Sequence, residues 1–485
     1  MPKVRDGFVG LDEVKYDTSI YPRDKWNTST INNYADSLKA GAEFPAIVLE
    51  EGTNRLLDGM HRWKAHQLYM DQYAERKSQL TLDGMQSEEW AEPTSQIAVE
   101  WHVIPNGIPA KLYAASFSTK HGDRISLAER KVIAREIFTE NPDFTLELIA
   151  EFLDVSKSSA GDYVADIRAR RKEAQKMVAY RLHRLGWTLD EIGEVINLSK
   201  SNVSKICSEF PDLEIQNKKL IDSGIPHLDV SERYNMPPIL TWAIDLAGRT
   251  DEQRMERLGI KTQPYDVWQF AKCHDLFGSQ HPGRIPGELV AHVLYFFTEP
   301  GAKVIDPMAG SGTTLDVCLA MGRECYAYDI DDRHERQDVI PHNIAVDGWP
   351  ERVKKADLIF WDPPYFDKMD STTIGSDGYI EGSISKLPRA EYMDFFGKRF
   401  SEAKAMVKKG TKLAFLMSDW DDNTNEREGI FIWDYADLIR AAGWKLVRQI
   451  QVPLSTQQVH PDIVNKFRKS RRLARLERYL LIAEA

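Results

Sequence analysis

Apolar positions recur at helical spacing twice in the middle of the chain. Leu146, Ile149 and Leu153 share one helical face, and Leu189, Ile192 and Ile196 repeat that face 43 residues later. Each run opens on a threonine suited to cap a helix, carries an acidic first turn, and is broken by Asp154 or Asn197. One apolar residue follows, Val155 or Leu198, and then a serine that predicts a second helix, from Ser156 towards Ile167 and from Ser199 towards Cys207. The repeat therefore predicts two copies of one helical hairpin with helix-turn-helix spacing.

Elsewhere the pattern is strand-like. Ala46-Ile47-Val48-Leu49 and Arg55-Leu56-Leu57 flank the turn Glu51–Asn54 and predict a hairpin, which leads into Asp58-Gly59-Met60-His61-Arg62. There a glycine turn opens a helix, so Gly59, His61 and Arg62 form a candidate anion site. Residues 213–276, punctuated by Pro226, Pro237-Pro238 and Pro264, read as a linker with helices. Beyond them, Val304-Ile305-Asp306 predicts a strand, Pro307 to Thr314 a glycine-rich turn, Leu315–Met321 a helix, and Glu324–Tyr328 a second strand ending at Asp329. Such a βαβ start suits a nucleoside-type ligand: glycines admit it against the backbone, and the terminal acid accepts ribose hydroxyls. The turn lacks both G-K-[ST] and G-x-G-x-x-G, which disfavours triphosphates and dinucleotides.

A further strand, Leu358–Trp361, runs into Asp362-Pro363-Pro364-Tyr365. Two prolines fix a rigid turn at a strand's carboxyl end, where ligands bind in open α/β sheets. An acid, an outward carbonyl and an aromatic face suit an amino group on a planar ring, with Asp362 and the Pro363 carbonyl accepting its hydrogens and Tyr365 stacking on the ring. Helices at Ala390–Val407 and Ile432–Ala442, a strand at Lys412–Met417, and a closing hairpin of Trp444–Val452 with Tyr479–Ala483 complete a doubly wound sheet.

Composition and charge narrow the partners. At 485 residues the chain predicts roughly three domains, and 42% hydrophobic residues suffice for sizeable cores. No run of about 18 apolar residues is present and no apolar signal core follows the N-terminus, so a cytoplasmic, nucleoid-associated protein without a membrane partner is expected. Four scattered cysteines form no C-x-x-C pair, and no metal is expected. With 63 basic against 74 acidic residues the net charge is -11, so contact with a polyanion must be local. Three places supply it. Lys157, Ser158, Lys200, Ser201 and Asn202 open the second helix of each pair. Val164 to Gly186 carries seven basic residues, Arg170 and Arg171 at its centre, and Val464 to Arg478 carries seven more, including Arg471 and Arg472. A solvated helix face is the plain alternative for both runs.

Two resemblances follow from these residues. Residues 8 to 122, from Tyr21-Pro22-Arg23 through Gly59-x-His61-Arg62 to Ser118–Gly122, resemble the N-terminal domain of the ParB and sulfiredoxin-like superfamily. That implies a nucleotide- or phosphate-binding module or a clamp at Gly59, His61 and Arg62, while Met60 in place of the sulfiredoxin cysteine disfavours sulfiredoxin activity. The C-terminal part resembles the DNA amino-methyltransferases. Asp306-Pro307-Met308-Ala309-Gly310-Ser311-Gly312-Thr313 matches their S-adenosylmethionine loop, Asp329 their ribose-binding acid, Asp362-Pro363-Pro364-Tyr365 their catalytic tetrapeptide, and His281-Pro282 through Val290 the preceding element. Met308 and Asn343 depart from the residues common at those positions, and no long insertion follows Tyr365.

The resemblance implies a Rossmann-like, doubly wound methyltransferase sheet at 277–485, preceded by a small ParB-like α/β domain (1–122), an all-α tandem helix-turn-helix domain (123–212) and the linker (213–276). It implies methyl transfer from S-adenosylmethionine to the N6 amino group of an adenine flipped out of double-stranded DNA. N4-cytosine and a ParB-like regulatory clamp are the alternatives. A homodimer and a nucleotide at the N-terminal module stay open.

Overall fold

The computed structural model describes residues 3–485 apart from 24–25, 84–89, 121–123, 271–272, 280–283, 332–335, 367–381, 421–427, 454–460 and 470–475. The sequence divides after residues 122, 212 and 276 by pattern; the structure divides once, into compact units Met1–Glu173 and Ala174–Ala485. The reason lies in where the helices bury their apolar faces.

In the first unit β1 (Lys3–Gly10), β2 (Ile47–Glu50), β3 (Leu56–Asp58) and β4 (Gln96–His102) form a sheet of order β1-β4-β2-β3. β2 and β3 make the expected antiparallel hairpin, and β4 lies parallel to β2. The helices are α1 (Thr28–Lys39), α2 (Met60–Asp83), α3 (Ala110–Lys120), α4 (Leu127–Glu140), α5 (Leu146–Leu153) and α6 (Lys157–Tyr163). Thr145 and Ser156 cap the N-termini of α5 and α6, and α5 ends at Asp154 in the left-handed region, φ 52°. α6 stops short of the expected Ile167: Val164 turns its side chain fully into the core, and the chain restarts as α7 (Ala165–Arg184). Ile149 and Leu153 of α5 share a core with Leu112 and Ala115 of α3, so this helix pair belongs to the α/β unit rather than to a separate all-α domain.

The division falls inside α7. The second pair, α8 (Leu189–Ile196) and α9 (Lys200–Cys207), repeats the first, with caps at Thr188 and Ser199 and a left-handed Asn197, φ 53°. After it come α10 (Phe210–Asp222), α11 (His227–Arg233), α12 (Pro238–Leu246) and α13 (Asp251–Arg257). These are not a linker. Leu240, Ile244, Met255 and Trp268 are buried in one core with Ile192, Ile196 and the strands of the large sheet.

That sheet comprises β5 (Lys303–Asp306), β6 (Glu324–Asp329), β7 (Val339–Pro341), β8 (Leu358–Trp361), β9 (Lys412–Met417), β10 (Lys445–Gln451) and β11 (Tyr479–Glu484), in the order β10-β11-β9-β8-β5-β6-β7. β7, β6, β5, β8 and β9 run parallel; β11 and β10 close the edge antiparallel. Its helices are α14 (Gly287–Phe297), α15 (Thr313–Met321), α16 (Ile344–Asp347), α17 (Arg389–Met406), α18 (Ile432–Ala441) and α19 (Pro461–Lys469). From β5 the chain winds one way to β6 and β7, then returns to place β8 on β5's other side. A crevice must open there, between the carboxyl ends of β5 and β8. Among the described residues no helix is long and apolar enough to cross a membrane.

Candidate active site

Three carboxylates meet at that crevice, each delivered by a strand end. Asp306 ends β5, Asp329 ends β6, and Asp362 follows β8. Asp306 is buried and accepts hydrogen bonds from the Met308 N–H (3.0 Å) and the Thr314 hydroxyl. Burial, with Asp362 and Asp329 nearby, pushes its carboxyl up to about 7. Asp329 accepts the N–H of Gly310 at 2.7 Å and of Asp331 at 2.7 Å, which ties the end of β6 to the glycine turn.

Gly310 and Gly312 have φ of 48° and 79°, a region that disfavours side chains. A Cβ on Gly310 would meet nothing within 4 Å, so the turn presents bare backbone to open space above Asp329. The turn thus fits a nucleoside-sized group whose hydroxyls bond the acid. Gly312 differs, because a Cβ there would collide with the Arg336 guanidinium. Arg336 donates to the Ser311 carbonyl (2.8 Å), to Asp316 (3.0 Å) and to Asp338 (2.8 Å). Arg181 joins the same two acids, at 2.6 Å to Asp338, and Asp316 also accepts the Gly278 N–H at 2.7 Å. Two partly buried arginines and two buried aspartates therefore fix the turn from behind.

β8 is buried throughout, and Asp362 emerges partly buried at its end. Desolvation pushes its carboxyl up to about 7, opposed by the charge of Arg478 and by a 3.2 Å hydrogen bond from the Tyr365 hydroxyl. The Tyr392 hydroxyl donates to the Pro364 carbonyl at 2.9 Å and fixes the proline turn. Phe366 follows, packed between Tyr392 and Trp420 with ring centroids 5.0 and 4.9 Å away. An acid beside an aromatic hydroxyl on a rigid turn, opposite an open glycine turn, can bind a planar amine next to a nucleoside-type group.

Residues 237–339 match the family described as DNA methylase, of the N6/N4 methyltransferase type. That segment contains the glycine turn and Asp329, and ends before Asp362. DNA adenine methyltransferase YhdJ of Escherichia coli K12 is 33% identical over 89 residues, 17% of this chain. The chain spans 30% of the length of that curated relative. Among solved structures, TrmN from Thermus thermophilus overlaps 41% of this chain and 49% of its own at 15% identity and a TM-score of 0.26. C-terminally truncated ParB from Caulobacter crescentus overlaps 42% of this chain and 99% of its own, at 10% identity and a TM-score of 0.18. Overlaps so shallow bear no weight for function.

The remaining candidates are placed as follows. Pro307 is buried in the turn, Met308 is partly buried against the core, and Thr313 opens α15. Asn343 caps α16, its side chain accepting the Ala345 N–H at 3.0 Å. Lys157, Ser158, Arg170, Lys200, Ser201 and Asn202 are exposed. Arg171 is engaged by the Pro142 carbonyl and Asp143, both at 2.7 Å. The basic run around it is not one solvated stripe: Lys176 pairs with Glu209 (2.5 Å), Arg184 with Glu214 (3.0 Å), and Arg181 is the internal clamp already described. Arg471 and Arg472 lie outside the described residues. Arg478, from the same run, is buried and donates to the Val452 carbonyl at 3.2 Å, so it serves the site's electrostatics rather than a surface.

At the N-terminal turn, Gly59 has φ 94° and a Cβ there would strike Ile47. His61 Nε2 accepts the Asn27 N–H at 3.0 Å. Arg62 donates to the carbonyls of Pro45 (2.9 Å) and Ala46 (2.7 Å) and to Asp58 (2.7 Å), so an anion would have to displace Asp58.

Arg336, Asp316 and Asp338 carry no motif, which is why sequence reasoning passed over them, and Arg478 reads in the sequence only as one member of the basic run at 464–478. The only sequence signal was charge, and charge reads as surface until its partner is known.

Proposed function

We propose that this chain transfers a methyl group from S-adenosylmethionine to the exocyclic amino group of adenine in DNA. The observation that carries this reading is the meeting of Asp362-Pro363-Pro364-Tyr365 with the open Gly310 turn and Asp329 across one crevice. The family match over residues 237–339 supports DNA as substrate, and the relative named an adenine methyltransferase supports adenine.

S-Adenosylmethionine would supply an electrophilic methyl group on sulfonium sulfur. The chain's own residues do the rest. The Gly310 turn and Asp329 hold the donor's nucleoside, with Arg336 keeping the turn in place. Asp362 accepts hydrogen bonds from the amino group, as does the Pro363 carbonyl, which localises the nitrogen lone pair that is otherwise spread into the ring. Tyr365 stacks on the base and offsets part of the few kcal/mol needed to unstack it. Holding both reactants at near-attack distance converts a bimolecular reaction into one within a single complex. The two helix pairs are proposed as helix-turn-helix units that grip the duplex, and the turn at Gly59–Arg62 as a structural clamp whose arginine already serves Asp58.

Mass spectrometry of nucleosides from DNA incubated with the purified chain and methyl-deuterated S-adenosylmethionine tests the reading. Labelled N6-methyladenine from the parent and none from Asp362→Ala supports it. Labelled N4-methylcytosine moves the substrate to cytosine. Unlabelled DNA from the parent overturns it.

A further inference from the structure

The second helix pair is fastened to the large sheet at its entry and at the first turn of α8. The Leu185 carbonyl, one residue past α7, accepts the Cys325 N–H (3.1 Å), and Trp187 Nε1 donates to the Cys325 carbonyl (2.9 Å). The Trp187 ring stacks on Tyr326 at 5.0 Å and 22°, and Glu191 of α8 pairs with Arg352 (2.5 Å) while accepting from the Tyr326 hydroxyl (3.2 Å).

These anchors set a direction. Leu185 lies at the start of β6, and Arg181, one turn back along α7, reaches Asp338 beside β7. Further back, Gln175 donates to the Ile196 carbonyl (2.9 Å) and Lys176 pairs with Glu209 (2.5 Å), residues that bracket α9. Leu185 to Gln175 is a rise of about 15 Å at helical pitch. Cys325 to Asp329 is about 13 Å of strand. Hence α9 stands level with the carboxyl edge of the sheet, where Asp329 and Asp362 lie.

Its surface suits a nucleic acid. Lys200, Ser201, Asn202, Ser204 and Lys205 are exposed, Val203 alone is buried, and α9 itself contains no carboxylate, in a chain of net charge -11, while Asp190 of α8 pairs with Lys200 at 2.6 Å. α6 is less suited, with Gly161 and an exposed Asp162 within its seven residues.

Resting on the function proposed above, we infer that α9 is the target-recognition helix: its exposed face enters the major groove and selects the sequence whose base reaches Asp362. Fixed to the catalytic sheet, it holds a constant distance between the bases read and the base modified. α6 adds affinity without setting the sequence.

Single-molecule sequencing of plasmid DNA methylated by the full chain reads the context of every modified base. In the Ser201→Ala/Asn202→Ala variant, preference should relax at one or two positions, by about tenfold for each lost base contact. In Lys157→Ala/Ser158→Ala the context should persist while half-saturation needs more DNA. Should the α9 variant melt below the parent, Asn202→Gln is read in the same way. An unchanged context in the α9 variants, or a changed one in the α6 variant, overturns the inference. A parent chain that methylates nothing overturns the function itself, a separate outcome.

Discussion

Asp362 accepts the amino N–H, alongside the Tyr365 hydroxyl, fully only when ionised, yet burial pushes its carboxyl up to about 7. The rate constant kcat/KM for DNA should therefore rise with pH through about 7 and level off above it. Arg478 opposes that shift. Arg478→Met should move the rise to higher pH, and Arg478→Lys should largely restore it, as read from pH–rate profiles. Stability runs the other way. Asp306 and Asp362 both have folded pKa values above their unfolded ones, so between about pH 4 and 7 the folded chain holds protons that the unfolded chain has released, and stability falls as pH rises through that window. Each buried charge costs on the order of 4 kcal/mol above it. Asp362→Asn should abolish methyl transfer but raise the melting temperature at pH 8, with the gain vanishing towards pH 4.

Caps and turns decide the elements. Asp154 and Asn197 end the first helix of each pair in the left-handed region, which tolerates Asn and Gly but not a branched side chain. Asn197→Val should cost about 1–2 kcal/mol by denaturant unfolding, whereas Asn197→Gly should be close to neutral. At the glycine turn, Gly312→Ala meets both a positive φ and the Arg336 guanidinium. It should raise the dissociation constant for S-adenosylmethionine at least tenfold by calorimetry, while Ala309, at a position with an ordinary backbone, should tolerate replacement by Ser. Elements with strong local signals were legible: β9 is observed at its expected residues, and α17 and α18 within one residue at each end. β1, β4 and β7 were missed. β7 is three residues long and β1 mixes charges with few apolar positions, so neither shows a period that its own sequence could reveal.

For the whole molecule, the second helix pair and the catalytic sheet are one unit joined through Trp187, Arg181 and Glu191. Trp187→Ala removes a buried ring and its hydrogen bond to Cys325, and should cost about 3–5 kcal/mol. The melting transition that S-adenosylmethionine shifts upward should fall with it, which differential scanning calorimetry reads, because α8 and the sheet unfold together.

The sequence by itself determined what is encoded within a few residues: helical period, capping, the left-handed stops, the glycine turn, and the acid that ends each of three strands. Those suffice for the crevice chemistry. Tertiary structure alone decided which charges are internal and where the chain divides. Arg181 and Asp316 stand 135 residues apart, as do Tyr326 and Glu191, and neither member carries any mark of the other. A residue's short-range neighbours set its backbone conformation, but a charge or an aromatic ring acquires its role from the surface it is buried against, and the fold supplies that surface.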